Sequence, residues 1–329
     1  MLYHYQLDIN KSADYHYYGA TFFIAAFITG TRLPLPYMEE LVVKKDFTNI
    51  YTQKDPTPYL EKMKSLGYRI PDQTRPLYKH LAERILNYKK KPVKILDLGS
   101  SYGINSALLN HQLVMEELDD FFVQDNPQPS IMSTQNFFDN LPYNDNQLEF
   151  YLVDTSSPAL EFAQKAGLCE DTFCLNLEKE SASTEFKDTI CQIDLIISTG
   201  CVGYIGWKSF EKIFENIQDN KAPLPLFAFT VLRMFPMDDI QRVFHENNFA
   251  LNKTTIGPLK QRRFHDEAEM SDTLDLLKNR NIDTKNLEET GHYYADFYVG
   301  GPRNIKSTWS SWVQNLEDVF VPIQGNGSD

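Results

Sequence analysis

A chain of 329 residues, 42% hydrophobic and with a net charge of −13 at pH 7, is long enough for one large α/β domain with additions or for two domains. That acidity is poorly suited to gripping a phosphate backbone, which depends on Lys and Arg, so nucleic acid is not the expected partner. The four cysteines, Cys169, Cys174, Cys191 and Cys201, form no C-x-x-C pair and have no histidine at ligand spacing, so no metal site is expected and reduced thiols of a cytoplasmic protein are.

The first ninety residues read as a helical and aromatic cap. Tyr15, His16, Tyr17 and Tyr18 precede an apolar run over 20–29, which is about half the length needed to cross a bilayer and lacks a signal-peptide layout. Two helices are predicted next, one opening at Asp55-Pro56-Thr57-Pro58 and closed by Gly67, the other running from Pro71-Asp72 to the lysines at 89–91.

A core of strands alternating with helices is expected over 91–303. The first strand is Val93 to Leu98, and the helix after Gly103 is expected to continue toward Phe121. An acidic insertion at about 114–147 reads as a solvated face. The second strand is Leu148 to Val153, ending at Asp154. Ser157 is the natural N-cap of the helix that follows, with Pro158 at its first position. Further strands are predicted at 172–175, 193–198, 226–232, 251–259 and 294–299, with helices at 207–217 and 238–247 and a helical insertion at about 265–292. The short basic run Lys260-Gln261-Arg262-Arg263 reads as a solvated strand end. A C-terminal helix and tail occupy 304–329. The alternation from 93 to 249 implies a parallel sheet covered on both faces, with the last two strands antiparallel at one edge.

In such a sheet ligands bind beyond the carboxyl ends of the strands, at the switch point. The residues there are Asp97 to Gly103, Asp154, Asn176 to Glu178 and Ser198 to Tyr204. The stretch Asp97-Leu98-Gly99-Ser100-Ser101-Tyr102-Gly103 is a strand end, a tight turn and a helix start. Asp154 is placed to accept from both hydroxyls of a ribose. An acid at Asp97 repels a pyrophosphate and suits an ammonium, and the spacing of Gly99 and Gly103 is not the G-x-G-x-x-G of dinucleotide sites.

On these residues, over about 93–300, the chain resembles the class I S-adenosylmethionine-dependent methyltransferases. Asp97 to Gly103 matches their first motif, Val153-Asp154 their ribose-binding acid, and Asp194 to Ser198 their fourth strand. Ser101 stands where the family has its middle glycine, and the acidic insertion lengthens the spacing from Asp97 to Asp154. The resemblance implies a seven-stranded, mostly parallel Rossmann-like sheet with helices on both faces, an antiparallel last strand and a helical N-terminal cap. It implies S-adenosyl-L-methionine as cofactor. Asp97, Gly99, Ser100, Ser101 and Gly103 would hold its methionine end, Asp154 and Thr155 the ribose side, and Asn176 and Leu177 the adenine. Ser198, Thr199 and Gly200 would line the floor beneath the methyl group.

Candidate bases are His265 and His292, which flank the helical insertion, and His16 in the cap; His245 is a further candidate. No Asn-Pro-Pro-Tyr-like tetrapeptide follows the fourth strand, which counts against methylation of adenine or glutamine amino groups. The expected reaction is N-, O- or C-methylation of a small aromatic or amphipathic molecule by in-line transfer. Protein methylation, aminocarboxypropyl transfer and a non-catalytic methyltransferase-like subunit are the alternatives. Homo-oligomerisation is left open.

Overall fold

In the computed structural model, residues 48–125, 127–143, 147–219 and 224–320 are described. His16 and the remainder of the cap up to residue 47 lie outside them. The described residues belong to one compact unit spanning Val43–Asp329.

The core is an eight-stranded sheet: β1 Val93–Leu98, β2 Leu148–Asp154, β3 Asp171–Cys174, β4 Leu195–Val202, β5 Leu226–Leu232, β6 Phe249–Lys253, β7 Leu259–Arg263 and β8 His292–Pro302. Its order is β3-β2-β1-β4-β5-β8-β6, with β7 pairing β8 off that path. Strands β1 to β5 run parallel, and β8 lies antiparallel between β5 and β6. The chain winds outward from β1 to β3, then crosses back to lay β4 on the other side of β1. That reversal is the switch point.

Alternation along β1 divides the core into two layers. Val93 and Ile95 join a cluster with Leu77, Tyr78 and Leu81 of the helix Ile70–Lys89. Leu96 and Leu98 face the other way, into a layer with Phe210, Phe214, Phe227, Phe229, Phe244 and Phe249. The rings of these six phenylalanines pack edge-on or tilted, with Phe214 and Phe249 centroids 4.8 Å apart. Each such ring, fully buried, contributes about 1.5–3 kcal/mol. Asp97 falls on the same face of β1 as Val93 and Ile95, a carboxylate in an otherwise apolar row.

Several expectations are corrected by the structure. The predicted strand over 251–259 is two strands, broken around Gly257-Pro258, and β7 is thereby a further strand. The helix after Gly103 ends at Asn110. A new helix starts at Met115, because the Glu117 carboxylate accepts the Val114 N–H at 2.9 Å and caps it. Ser156, not Ser157, caps the helix Ser157–Lys165, its hydroxyl accepting the Ala159 N–H. The acidic insertion is not wholly solvated: Asp119 is fully buried and pairs with Arg69 at 2.9 Å.

The run Lys260–Arg263 is only half solvated: Lys260 and Arg263 are exposed, whereas Gln261 and Arg262 are buried. Strand β7 is clamped between β8 and the junction of the helices Thr57–Ser65 and Ile70–Lys89. The Gln261 carbonyl accepts the Arg69 N–H, Arg263 N–H donates to the Leu66 carbonyl, and the Gln73 side chain bonds both backbone groups of Lys260. Arg262 is buried in a bidentate pair with Glu269, at 2.8 and 3.0 Å, because the helix Glu267–Asn279 folds back over the strand.

Candidate active site

The site grows from the end of β1. Asp97 is fully buried, and both of its carboxylate oxygens accept from Asn105 Nδ2, at 3.2 and 3.0 Å. Loss of hydration pushes its pKa up to about 8. The Asn105 hydrogen bonds oppose that shift, and the charge of Asp154 adds to it. The network continues from Asn105 Oδ1 to the Thr199 hydroxyl at 3.3 Å, and from Thr199 to Tyr78 Oη at 2.9 Å. Tyr78 also donates to the Ser198 carbonyl. A polar chain therefore links β1, the first helix after it, β4 and the helix Ile70–Lys89.

The turn after Asp97 uses its own amides. Gly99 and Ser100 N–H donate to the Val153 carbonyl at 2.8 and 3.2 Å, and Gly103 N–H donates to the Ser100 carbonyl. Ser101 N–H donates to Asp154 Oδ2 at 2.8 Å, and Ser156 N–H to Oδ1 at 2.9 Å. Ser101 takes φ 50, in the left-handed region. A serine thus adopts the backbone that the middle glycine would take, tied there by the Asp154 carboxylate. Burial raises the Asp154 pKa, and the amide hydrogen bonds oppose the shift. A phosphate cradle needs inward-facing N–H groups without other partners. Here those amides already serve a carbonyl and a carboxylate, beside a second buried acid.

The other sequence-predicted positions are spread along the strand ends. Thr155 and Asn176 follow β2 and β3, and the Asn176 side chain accepts the Glu178 N–H at 3.1 Å. Leu177 is buried in the Phe-rich layer. Glu178 in turn accepts from Gly206 N, Ser209 N and Ser209 Oγ, and so anchors the start of the helix Trp207–Asp219. The Ser198 hydroxyl donates to the Leu98 carbonyl at 2.8 Å and ties β4 to β1. Gly200 sits at φ 69, its N–H donating to Thr230 Oγ1 at 2.9 Å.

Above Gly200 lies a group the sequence reading missed. A Cβ built on Gly200 would stand 2.8 Å from both Gln261 Nε2 and Tyr68 Oη. Tyr51, Tyr204, Cys201 and Arg262 are close enough to act electrostatically on Tyr68 or on one another, and burial holds the Tyr51, Tyr68 and Tyr204 hydroxyls well above the usual phenol range. These hydroxyls stay neutral donors at any physiological pH. Cys201 packs over Gly99, where an added Cβ would meet its Sγ.

The histidines stand apart from one another. His265 is exposed, with Nδ1 3.3 Å from Lys62 Nζ, and its backbone N–H donates to Glu269. His292 opens β8 opposite Arg263, its Nδ1 3.0 Å from the Thr290 carbonyl; burial and the charge of Lys260 lower its pKa. His245 is exposed on the helix Asp238–Glu246. Among the described residues there is no cluster of metal-ligating side chains, and no helix is long and apolar enough to cross a membrane. A cavity of about 320 Å³, lined by His111, Phe138, Asp139, Leu141, Tyr143, Ala166 and Gly167, lies at the far end of the helix Ser157–Lys165 from these strand ends.

No family model and no curated protein matches the chain. Among solved structures it is similar to a TehB-like SAM-dependent methyltransferase from Corynebacterium glutamicum, at 14% identity and TM-score 0.34 over 67% of this chain and 86% of that one. It is similar to the plantazolicin methyltransferase BamL, solved with a triazolic desmethylPZN analog and SAH, at 13% identity and TM-score 0.39 over 74% and 88%. It is similar also to magnesium protoporphyrin IX methyltransferase from Synechocystis with bound SAM, at 10% identity and TM-score 0.35 over 79% and 88%. The strand order is that of a mostly parallel, Rossmann-like α/β sheet with one antiparallel strand inserted near its edge.

Proposed function

We propose that the chain is an S-adenosylmethionine-dependent methyltransferase acting on a small aromatic or amphipathic acceptor. The observation that carries this reading is the pair of carboxylates around the first turn. Asp97 is buried before it, and Asp154 is bound to its Ser101 amide. That pair of acceptors disfavours a pyrophosphate and suits a cofactor bearing an ammonium, a sulfonium and ribose hydroxyls.

In this reading Asp97 and the backbone from Gly99 to Gly103 hold the methionine end, Asp154 the ribose, and Asn176 and Leu177 the adenine. Thr199 and Gly200 form the floor of the transfer position. When bound, the cofactor supplies an electrophilic methyl group on sulfur. The chain supplies alignment: the network through Asn105, Thr199 and Tyr78 fixes the β4 end against β1. The acceptor proton must leave to a base or to solvent. His292, its pKa lowered by burial and by Lys260, is neutral near pH 7 and so able to receive one.

The test is untargeted mass spectrometry of a metabolite extract incubated with the protein and S-adenosylmethionine. A metabolite gaining the mass of one CH₂ group, with equimolar S-adenosylhomocysteine, is expected. Release of methylthioadenosine instead would favour aminocarboxypropyl transfer, and consumption of no cofactor would favour the non-catalytic subunit.

A further inference from the structure

The cavity of about 320 Å³ beyond the C-terminal end of the helix Ser157–Lys165 lies outside the proposed active site. Among the described residues three helices end at it. Ile104–Asn110 delivers His111, Ile131–Asp139 delivers Phe138 and Asp139, and Ser157–Lys165 delivers Ala166 and Gly167. The space is open rather than filled: a Cβ added at Gly167 would meet nothing within 4 Å. Its walls are rings. The His111 ring centroid stands 5.1 Å from that of Phe138 and 5.1 Å from that of Tyr143, tilted to each. Leu141 and Ala166 add apolar surface. A volume of this size, walled by rings and carrying one carboxylate, falls within the range of small-molecule pockets, about 300–1,000 Å³.

Charge then selects the ligand. Asp139 is in the last turn of its helix, where the peptide dipole favours a cation and a carboxylate is unfavourable. None of the ion pairs among the described residues includes it. Glu170 adds a second carboxylate close enough to act on the Tyr143 hydroxyl. Lys165, in the last turn of the helix Ser157–Lys165, is paired with Glu161 at 3.3 Å, and the sequence from 110 to 147 has no Lys or Arg. Burial lowers the His111 pKa against the opposing charge of Asp139, so the imidazole is neutral near pH 7 and adds no positive charge. An acid set against its own helix dipole breaks a local rule, and an arriving cation offsets that cost.

We infer that this cavity binds a free arylalkylammonium, whose flat apolar body lies against the Phe138, His111 and Tyr143 rings and whose ammonium pairs with Asp139. Ring faces attract a cation as well as an apolar body. Among the described residues no three metal-ligating side chains gather, which favours an organic cation over a metal ion. The site stands on these residues alone and does not depend on the methyltransferase reading.

The experiment titrates phenethylamine into the full-length protein at pH 7, where the amine is protonated, and follows binding by ligand-observed NMR. Its neutral counterpart 2-phenylethanol, its anionic counterpart 3-phenylpropionate and, as a protein-borne ammonium, Nα-acetyl-lysine methylamide are titrated beside it. The wild type is expected to bind phenethylamine at least about tenfold more tightly than any of the three. Asp139→Asn and Tyr143→Ala, both at exposed side chains, are each expected to lose at least about tenfold in that affinity. Because Asp139→Asn removes an acid from a helix C-terminus, its Tm is expected to equal or exceed that of the wild type. No binding of the amine contradicts the inference, as does equal binding of the alcohol or the acid. Equal binding of the lysine compound would assign the cavity to a side chain of a partner protein and overturn the free ligand. Wild-type affinity in either variant would put the amine elsewhere, and a fall in Tm for Asp139→Asn would make Asp139 a structural residue; each outcome contradicts the inference.

Discussion

The side-chain amide of Asn105 lies across the carboxylate of Asp97, its nitrogen 3.2 Å from one oxygen and 3.0 Å from the other. A neutral amide reduces the cost of burying that acid without neutralising it, so the pKa stands at about 8 rather than 3.8. The folded chain therefore holds a proton on Asp97 at neutral pH that the unfolded chain has released. Two consequences follow with opposite signs. Stability falls as pH rises from about 4 to about 8, because the folded state binds more protons across that window. Affinity for a cofactor whose ammonium pairs with the ionised acid rises over the upper part of the same window, by up to about tenfold per pH unit, and levels off above about pH 8. Calorimetry in buffers of different ionisation enthalpy should register a proton released on binding near pH 7. Asp97→Asn should remove both dependences, and a binding constant flat from about pH 6 to 8 would contradict the pairing.

Asp154 closes the turn from the other side, through Ser101 and Ser156. Asp154→Ala should weaken binding of S-adenosylhomocysteine by more than about tenfold, or about 1.4 kcal/mol. Asp154→Asn, which keeps an acceptor oxygen for one of the two amides, should lie between the wild type and the alanine variant. Wild-type affinity in the alanine variant would remove the ribose assignment.

The pair Arg262 and Glu269 is 1% and 3% exposed at its side chains. Glu269 also receives the His265 N–H, and Arg262 lies over the Tyr293 ring at 4.8 Å. Removing one member leaves an uncompensated buried charge, so Glu269→Ala should cost about 3–5 kcal/mol in denaturant unfolding. A loss below about 1 kcal/mol would mean that Arg262 reaches water in the variant.

What was legible in the sequence was mostly local. The apolar run into Asp97, the turn with Gly99 and Gly103, and the acid at the end of β2 announce themselves within a few residues of chain, because strand period and turn chemistry are short-range. That Ser101 stands at a glycine position was legible; that it takes φ 50 there was not, because this depends on Asp154 from the neighbouring strand. The misreading of 260–263 has a different cause. A basic run usually marks solvent, and only the fold shows that the helix Glu267–Asn279 returns Glu269 to Arg262, or that Gln73 reaches Lys260 across 187 residues. Gly257-Pro258 did carry a local signal for the break between β6 and β7. Tyr51 and Tyr68 fall outside both predicted helices and carry no local motif of their own. The Tyr68 hydroxyl meets Gln261 and Gly200 only once the segment around Leu66 and Arg69 docks on β7.

We propose that the two carboxylates around the β1 turn make a site for a cationic sulfonium cofactor rather than for a pyrophosphate. The most direct measurement is isothermal titration of the full-length protein at pH 8 with S-adenosylmethionine, S-adenosylhomocysteine and NAD in parallel. Saturable binding of the first two, with a stoichiometry near one, and no detectable binding of NAD is the predicted result. Binding of NAD, or of none of the three, would contradict it.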